Sequence, residues 1–108
     1  MSEHFYDRED LKRLRKLREL KPDLFKSFVE FDTKVFEEGA LGVKTKELIA
    51  VATAHITQCP YCIDVHTKRA TKAGATEAEI AETIFVAMAL RAGGSWAHSA
   101  IAMRALEG

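Results

Sequence analysis

The 108-residue sequence predicts an all-α fold on three observations. Apolar residues recur at three- and four-residue spacings along nearly the whole chain, residues that start and stop helices punctuate that pattern, and no alternating run bounded by turn signals reads as a strand. The length suits one ordinary domain. With no internal repeat, low-complexity segment or linker, residues 1–108 read as a single domain, its core at about 40–106 and N-terminal helices in 1–39.

Leu11, Leu14, Leu17 and Leu20 stand among Arg and Lys and predict an amphipathic helix over about 9–20. Its other face is basic, since 8–21 holds seven basic residues against three acidic ones. A solvated face accounts for this, with a docking surface for an acidic partner as the alternative. Pro22 fits the first turn of a second helix and Gly39 its stop. Between them Leu24, Phe25, Phe28, Val29, Phe31, Val35 and Phe36 keep helical spacing and read as core.

A third helix is predicted from 44 or 45 to about 57, and its run LIAVATAHI is apolar nearly all round, so it is central or lies in a subunit contact. Pro60 opens a fourth helix with Cys59 near its N-cap, and Gly74 closes it. Thr76 and Glu79 have capping-box spacing for a fifth helix carrying Ile80, Ile84, Phe85 and Met88. Gly93 and Gly94 predict a kink or break before a sixth segment over 96–106. Small or apolar residues cover more than one face of these last segments, among them Ala87, Ala89, Ala97, Ala100, Ala102 and Ala105. This surplus predicts a symmetric homo-oligomer.

Sixteen Lys plus Arg balance sixteen Asp plus Glu, so charge gives no argument for nucleic acid or an anionic membrane as partner. MSEHFYDRED lacks a basic cap followed by an apolar run, His4 carries no signal, and no uncharged apolar window reaches membrane-spanning length. Two cysteines three residues apart close almost no loop and cannot staple a secreted scaffold. A cytoplasmic protein with a catalytic, redox-sensing or metal-binding pair is the expectation.

The tetrapeptide CPYC matches a glutaredoxin motif, yet the chain lacks the strand before it, the βαβ unit around it and a later cis-proline. Haem attachment needs His directly after the second cysteine, where Ile63 stands. A zinc site from Cys59, Cys62 and His66 would need His55 or Glu47 as fourth ligand and is the weaker reading, so neither metal nor cofactor is expected.

At about 100° per residue, Cys59, Cys62 and His66 share one stripe of a helix. On the preceding helix Glu47, Val51, Ala54 and Gln58 share another, and antiparallel packing could bring Glu47 opposite His66. The plainer reading of Glu47 is an acid in a helix's first turn. A free thiol is little ionised at neutral pH, so a base one turn away raises its reactivity, and a carboxylate on that base sets its tautomer. The helix dipole and N-cap favour Cys59 as the reactive thiol and proximity to His66 favours Cys62. The residues alone leave both open.

Glu47, eleven residues, Cys59-Pro60-Tyr61-Cys62, three residues and His66 resemble the signature of the AhpD-like alkylhydroperoxidases within the carboxymuconolactone decarboxylase family. The resemblance covers about 40–106 and implies an all-α helical hairpin assembled as trimers or hexamers. It also implies roles: Cys62, activated by His66 and Glu47, attacks a peroxide, and Cys59 resolves the sulfenic acid to a disulfide that a dithiol or lipoyl-bearing donor reduces. Tyr61 stands where AhpD proper carries a further His. His55 and His98 are secondary candidates that also suit structural roles. Competing expectations are a decarboxylase-like lactone-transforming enzyme, which has no use for a dithiol, and a non-enzymatic redox-sensing interaction module.

Overall fold

The computed structural model describes residues 7–108, and among them all regular structure is helical. Six helices follow in order: α1 (Asp10–Arg13), α2 (Arg15–Leu20), α3 (Pro22–Val35), α4 (Val43–Thr57), α5 (Pro60–Lys72) and α6 (Glu77–Leu106). His4 lies outside the described residues.

The predicted first helix is divided at Leu14 into α1 and α2. Pro22 occupies the first turn of α3, whose end comes at Val35, before Gly39. The amide of Phe36 donates to Asp32 O, that of Glu37 to Lys34 O, and the Lys46 ammonium donates to the Glu37 carbonyl. The first two bonds take up carbonyls of the last turn, and the third holds the chain on its way to Gly42, the N-cap of α4.

Helix α4 packs against both α5 and α6, which covers part of its apolar circumference, while Ile49 and Ile56 stay exposed. Its buried residues, Glu47, Val51 and Ala54, form one stripe. Val51 meets Ala70 and Ala75 in a small core flanked by Leu48 and Ile80, and the short alanine side chains let the helices approach closely. The start of α6 is set by a full capping box: Thr76 Oγ1 accepts from the Glu79 amide while the Glu79 carboxylate accepts from the Thr76 amide. Lys44 adds an ion pair to Glu79 at 2.9 Å.

Two expectations are corrected. There is no break at Gly93 and Gly94, since helix α6 runs on through them for 30 residues. A glycine costs about 1 kcal/mol in a helix interior, less than stripping the backbone bonds of two new ends, and no proline forces a break. The apolar face of α3 is not a core of this protomer, because Leu24, Phe28 and Phe31 are exposed. Few elements of the same chain lie over that face: α2 contacts α3, while α4 is occupied by α5 and α6.

The molecule is correspondingly open. Its radius of gyration is 17.9 Å, against about 13 Å for a compact domain of this size. Its accessible surface is 8824 Å², against about 6,000 Å² for a compact monomer of its mass. Much of the excess is apolar, with Phe85, Leu90, Ile101 and Leu106 exposed along α6 and Trp96 80% exposed.

Candidate active site

The α4–α5 connection determines where the thiols stand. Gln58 adopts the left-handed conformation (φ 59°), and the Cys59 amide returns to Ala54 O at 3.1 Å. From α6, the Arg91 guanidinium donates to the Ile56 carbonyl and ties the end of α4 in place. Cys59 is the N-cap of α5, its sulfur accepting the Cys62 amide at 3.3 Å, with Pro60 in the first turn. This tight reversal makes α4 and α5 antiparallel.

Glu47 and His66 meet across that hairpin, His66 Nδ1 lying 2.6 Å from Glu47 Oε1. Glu47 belongs to the second turn of α4 and is only 3% exposed, so the reading of it as a first-turn acid does not hold. A carboxylate can only accept, so Nδ1 carries the proton and Nε2 is left as the open basic nitrogen. The imidazole ring is stacked on Phe36, centroids 5.1 Å apart and planes at 22°.

The Cys59 and Cys62 thiols are free, with sulfurs 2.7 Å apart sharing a hydrogen bond. Closing them into a disulfide needs little backbone movement. Burial pushes the Cys62 thiol up from 9.0 to about 11; the hydrogen bond to Cys59 and the like charge there add to the rise, and a backbone hydrogen bond opposes it. In the dithiol state Cys62 is therefore not a standing thiolate at neutral pH. Reaction there requires a base to remove the proton as attack begins.

Cys62 and His66 line one side of a pocket of about 480 Å³. One stripe of α4, comprising Lys46, Ile49, Ala50, Thr53 and Thr57, forms another side, and Asp32 and Val35 of α3 close it with Phe36 at the C-cap of that helix and Leu41. The walls are mostly apolar. Lys46 and Asp32 bring charged side chains to the pocket, and none of the described ion pairs joins them to each other.

The remaining candidates lie apart from this pocket. His55 turns Nδ1 to Val51 O at 2.8 Å, a local helix contact. His98 is exposed on α6. Tyr61 is half-buried between the cysteines and absent from the pocket wall. With Glu47 taken by His66 and His55 turned to its own helix, the zinc set is not assembled, and no group of three or more such ligands is gathered among the described residues. Phe36, Lys46 and Asp32 carry no motif that sequence reasoning could have singled out. Phe36 is read there as core.

Alkylation of Cys62 by iodoacetamide, measured by mass spectrometry, is expected to show two regimes. At neutral pH the rate depends on the relay and falls in His66→Gln. At high pH it rises as the thiol itself ionises toward about 11. In Cys59→Ser that rise moves to lower pH, because two of the three causes that raise the Cys62 thiol go with the Cys59 thiol.

The Glu47–His66 pair and the dithiol stand on one all-α hairpin, and comparison with known proteins gives the family. The profile of the Carboxymuconolactone decarboxylase family matches residues 22–105. "Uncharacterized protein 4 in cox locus" of Paracoccus denitrificans is 48% identical over 81 residues, which span 75% of this chain and 73% of that protein. An apo crystal structure of a carboxymuconolactone decarboxylase family protein from Legionella pneumophila superposes with a TM-score of 0.73 at 37% identity, covering 92% of this chain and 88% of that one. A crystal structure from Methanobacterium thermoautotrophicum gives 0.75 at 35% identity, covering 79% and 96%. The chain belongs to the carboxymuconolactone decarboxylase family.

Proposed function

We propose that the protein is a thiol-dependent peroxidase of the AhpD-like kind, acting on organic hydroperoxides and recharged by a dithiol donor. The observation that carries this reading is the hydrogen bond of buried Glu47 to the half-buried His66, which lines a pocket together with Cys62. Glu47 fixes the imidazole tautomer and Nε2 takes the Cys62 proton as the sulfur attacks the peroxide. The O–O bond breaks, Cys62 becomes a sulfenic acid, and the leaving oxygen departs as an alcohol with the proton His66 holds. The Cys59 thiol then attacks the sulfenic sulfur, expelling water and leaving a Cys59–Cys62 disulfide. A dithiol donor, such as a lipoyl group, returns both thiols by exchange and is itself oxidised to a disulfide. No bound cofactor takes part.

The largely apolar pocket favours a hydroperoxide with a hydrocarbon body over hydrogen peroxide. A thiol pair that must cycle belongs in a reducing cytoplasm. Among the described residues no helix is long and apolar enough to cross a membrane. The exposed apolar faces of α3 and α6 support a homo-oligomer, trimeric or hexameric, in which copies cover them. Sedimentation of the full chain should give a mass several times 12.1 kDa; a monomer at micromolar concentration would contradict the assembly.

Titrating the reduced protein with cumene hydroperoxide tests the chemistry. One equivalent per chain should consume both thiols and release one equivalent of the alcohol, with a Cys59–Cys62 disulfide recovered by mass spectrometry. Thiol loss no faster than in Cys62→Ser would overturn the reading.

A further inference from the structure

Phe36 stands outside the CxxC hairpin, yet its ring covers one face of the His66 imidazole at a centroid distance of 5.1 Å and an interplanar angle of 22°. It is held there by the end of α3, where its amide donates to Asp32 O, and the following carbonyl, that of Glu37, accepts from Lys46. We propose that Phe36 is a positioning residue for His66: its ring fixes the plane of the imidazole and stabilises the imidazolium formed when His66 receives the Cys62 proton. This rests on the relay proposed above and adds to it a residue from the N-terminal half of the chain.

A neutral imidazole and an aromatic ring stack with modest gain, whereas a cation over the same face is attracted by the ring's negative quadrupole. The ring therefore contributes more after proton transfer than before it, and an interaction that strengthens along the reaction accelerates it. The transfer needs such help, since burial makes the Cys62 thiol reluctant to ionise. Glu47 holds Nδ1 and Phe36 covers a face, which leaves Nε2 as the nitrogen that can act in the pocket. The titratable groups that face this imidazole or share its pocket are Glu47 and Lys46 from α4, Asp32 from α3, and Cys62 from its own helix. Each is retained in the variants below, so a change in pH dependence reports the ring.

The test compares Phe36→Leu with Phe36→Tyr in the full chain, in a Cys59→Ser background so that Cys62 is the one thiol. The readout is the pH profile of Cys62 alkylation by iodoacetamide, with circular dichroism and sedimentation as checks on fold and assembly. In Phe36→Leu the rate at neutral pH should fall about three- to tenfold, because the imidazolium formed on proton transfer has lost its partner, while the rate at high pH, where the thiol ionises without the base, should stay that of the parent. Phe36→Tyr keeps an aromatic face and should retain the parent rate in both regimes. An equal fall at neutral and at high pH in Phe36→Leu would mean that Phe36 only packs, and would overturn the proposal, as would a Phe36→Tyr profile equal to that of Phe36→Leu. Because the readout involves no peroxide, failure of the peroxidase reading leaves this test intact; failure of the relay itself appears separately, as a neutral-pH rate that is unchanged in His66→Gln.

Discussion

Cys62→Ser is expected to abolish hydroperoxide reduction, and Cys59→Ser to allow one reaction per chain and then stop. The asymmetry follows from the two positions. Cys62 shares the pocket with His66 and Phe36, whereas Cys59 sits at the N-cap behind it, with its sulfur 2.7 Å from that of Cys62. A hydroxyl at position 62 is far less nucleophilic than a sulfur toward the O–O bond, so the variant should fall to the background of the reagents. In Cys59→Ser the sulfenic acid forms but finds no second thiol, and the alcohol should appear as a single stoichiometric burst. Stopped-flow measurement of alcohol release, one equivalent against continued turnover in the wild type, distinguishes the two variants.

Glu47→Gln is expected to slow the same reaction by at least about a hundredfold while leaving the helices in place. The amide matches the carboxylate in shape, so the buried position is filled as before. Its NH2 group would, however, present a donor to Nδ1, favour the tautomer with the proton on Nε2, and remove the base from the pocket. Glu47→Ala adds a second effect. It leaves a cavity and an unpaired imidazole nitrogen in a site that is only 3% exposed at residue 47, and it should cost about 1–3 kcal/mol of stability. Comparing activity with urea unfolding separates the variants: Glu47→Gln loses rate at nearly unchanged stability, and Glu47→Ala loses both.

Much of this architecture is legible in the sequence because its signals are local. Pro60, Cys59 and the Thr76–Glu79 pair mark helix starts by backbone chemistry that neighbours hardly alter, and the structure has each where the pattern predicts it. The meeting of Glu47 with His66 is also a matter of counting, since two stripes on consecutive antiparallel helices joined by a tight turn have few registers available. The Gly93–Gly94 pair misleads because propensity is a small term beside the cooperativity of a 30-residue helix. The α3 residues mislead for a different reason. Helical periodicity shows that Leu24, Phe28 and Phe31 form an apolar face, but what covers that face is not encoded in spacing, and within the protomer it stays exposed. Phe36 belongs to the same apolar series, and its contact with His66 is a tertiary meeting of α3 with α5 that no short-range pattern announces. Lys46 is hidden in the same way, as one more charge beside Glu47 until the fold turns it to the pocket and to the Glu37 carbonyl.

Trapping the sulfenic acid tests the central claim, attack by Cys62 under the His66–Glu47 relay, most directly. Each single variant, Cys59→Ser and Cys62→Ser, is treated with one equivalent of cumene hydroperoxide in the presence of dimedone and read by peptide mass spectrometry. The account predicts a dimedone adduct on Cys62 in Cys59→Ser, strongly reduced when Glu47→Gln is added, and none on Cys59 in Cys62→Ser. An adduct on Cys59 with Cys62 unmodified would reverse the roles of the two thiols and contradict it.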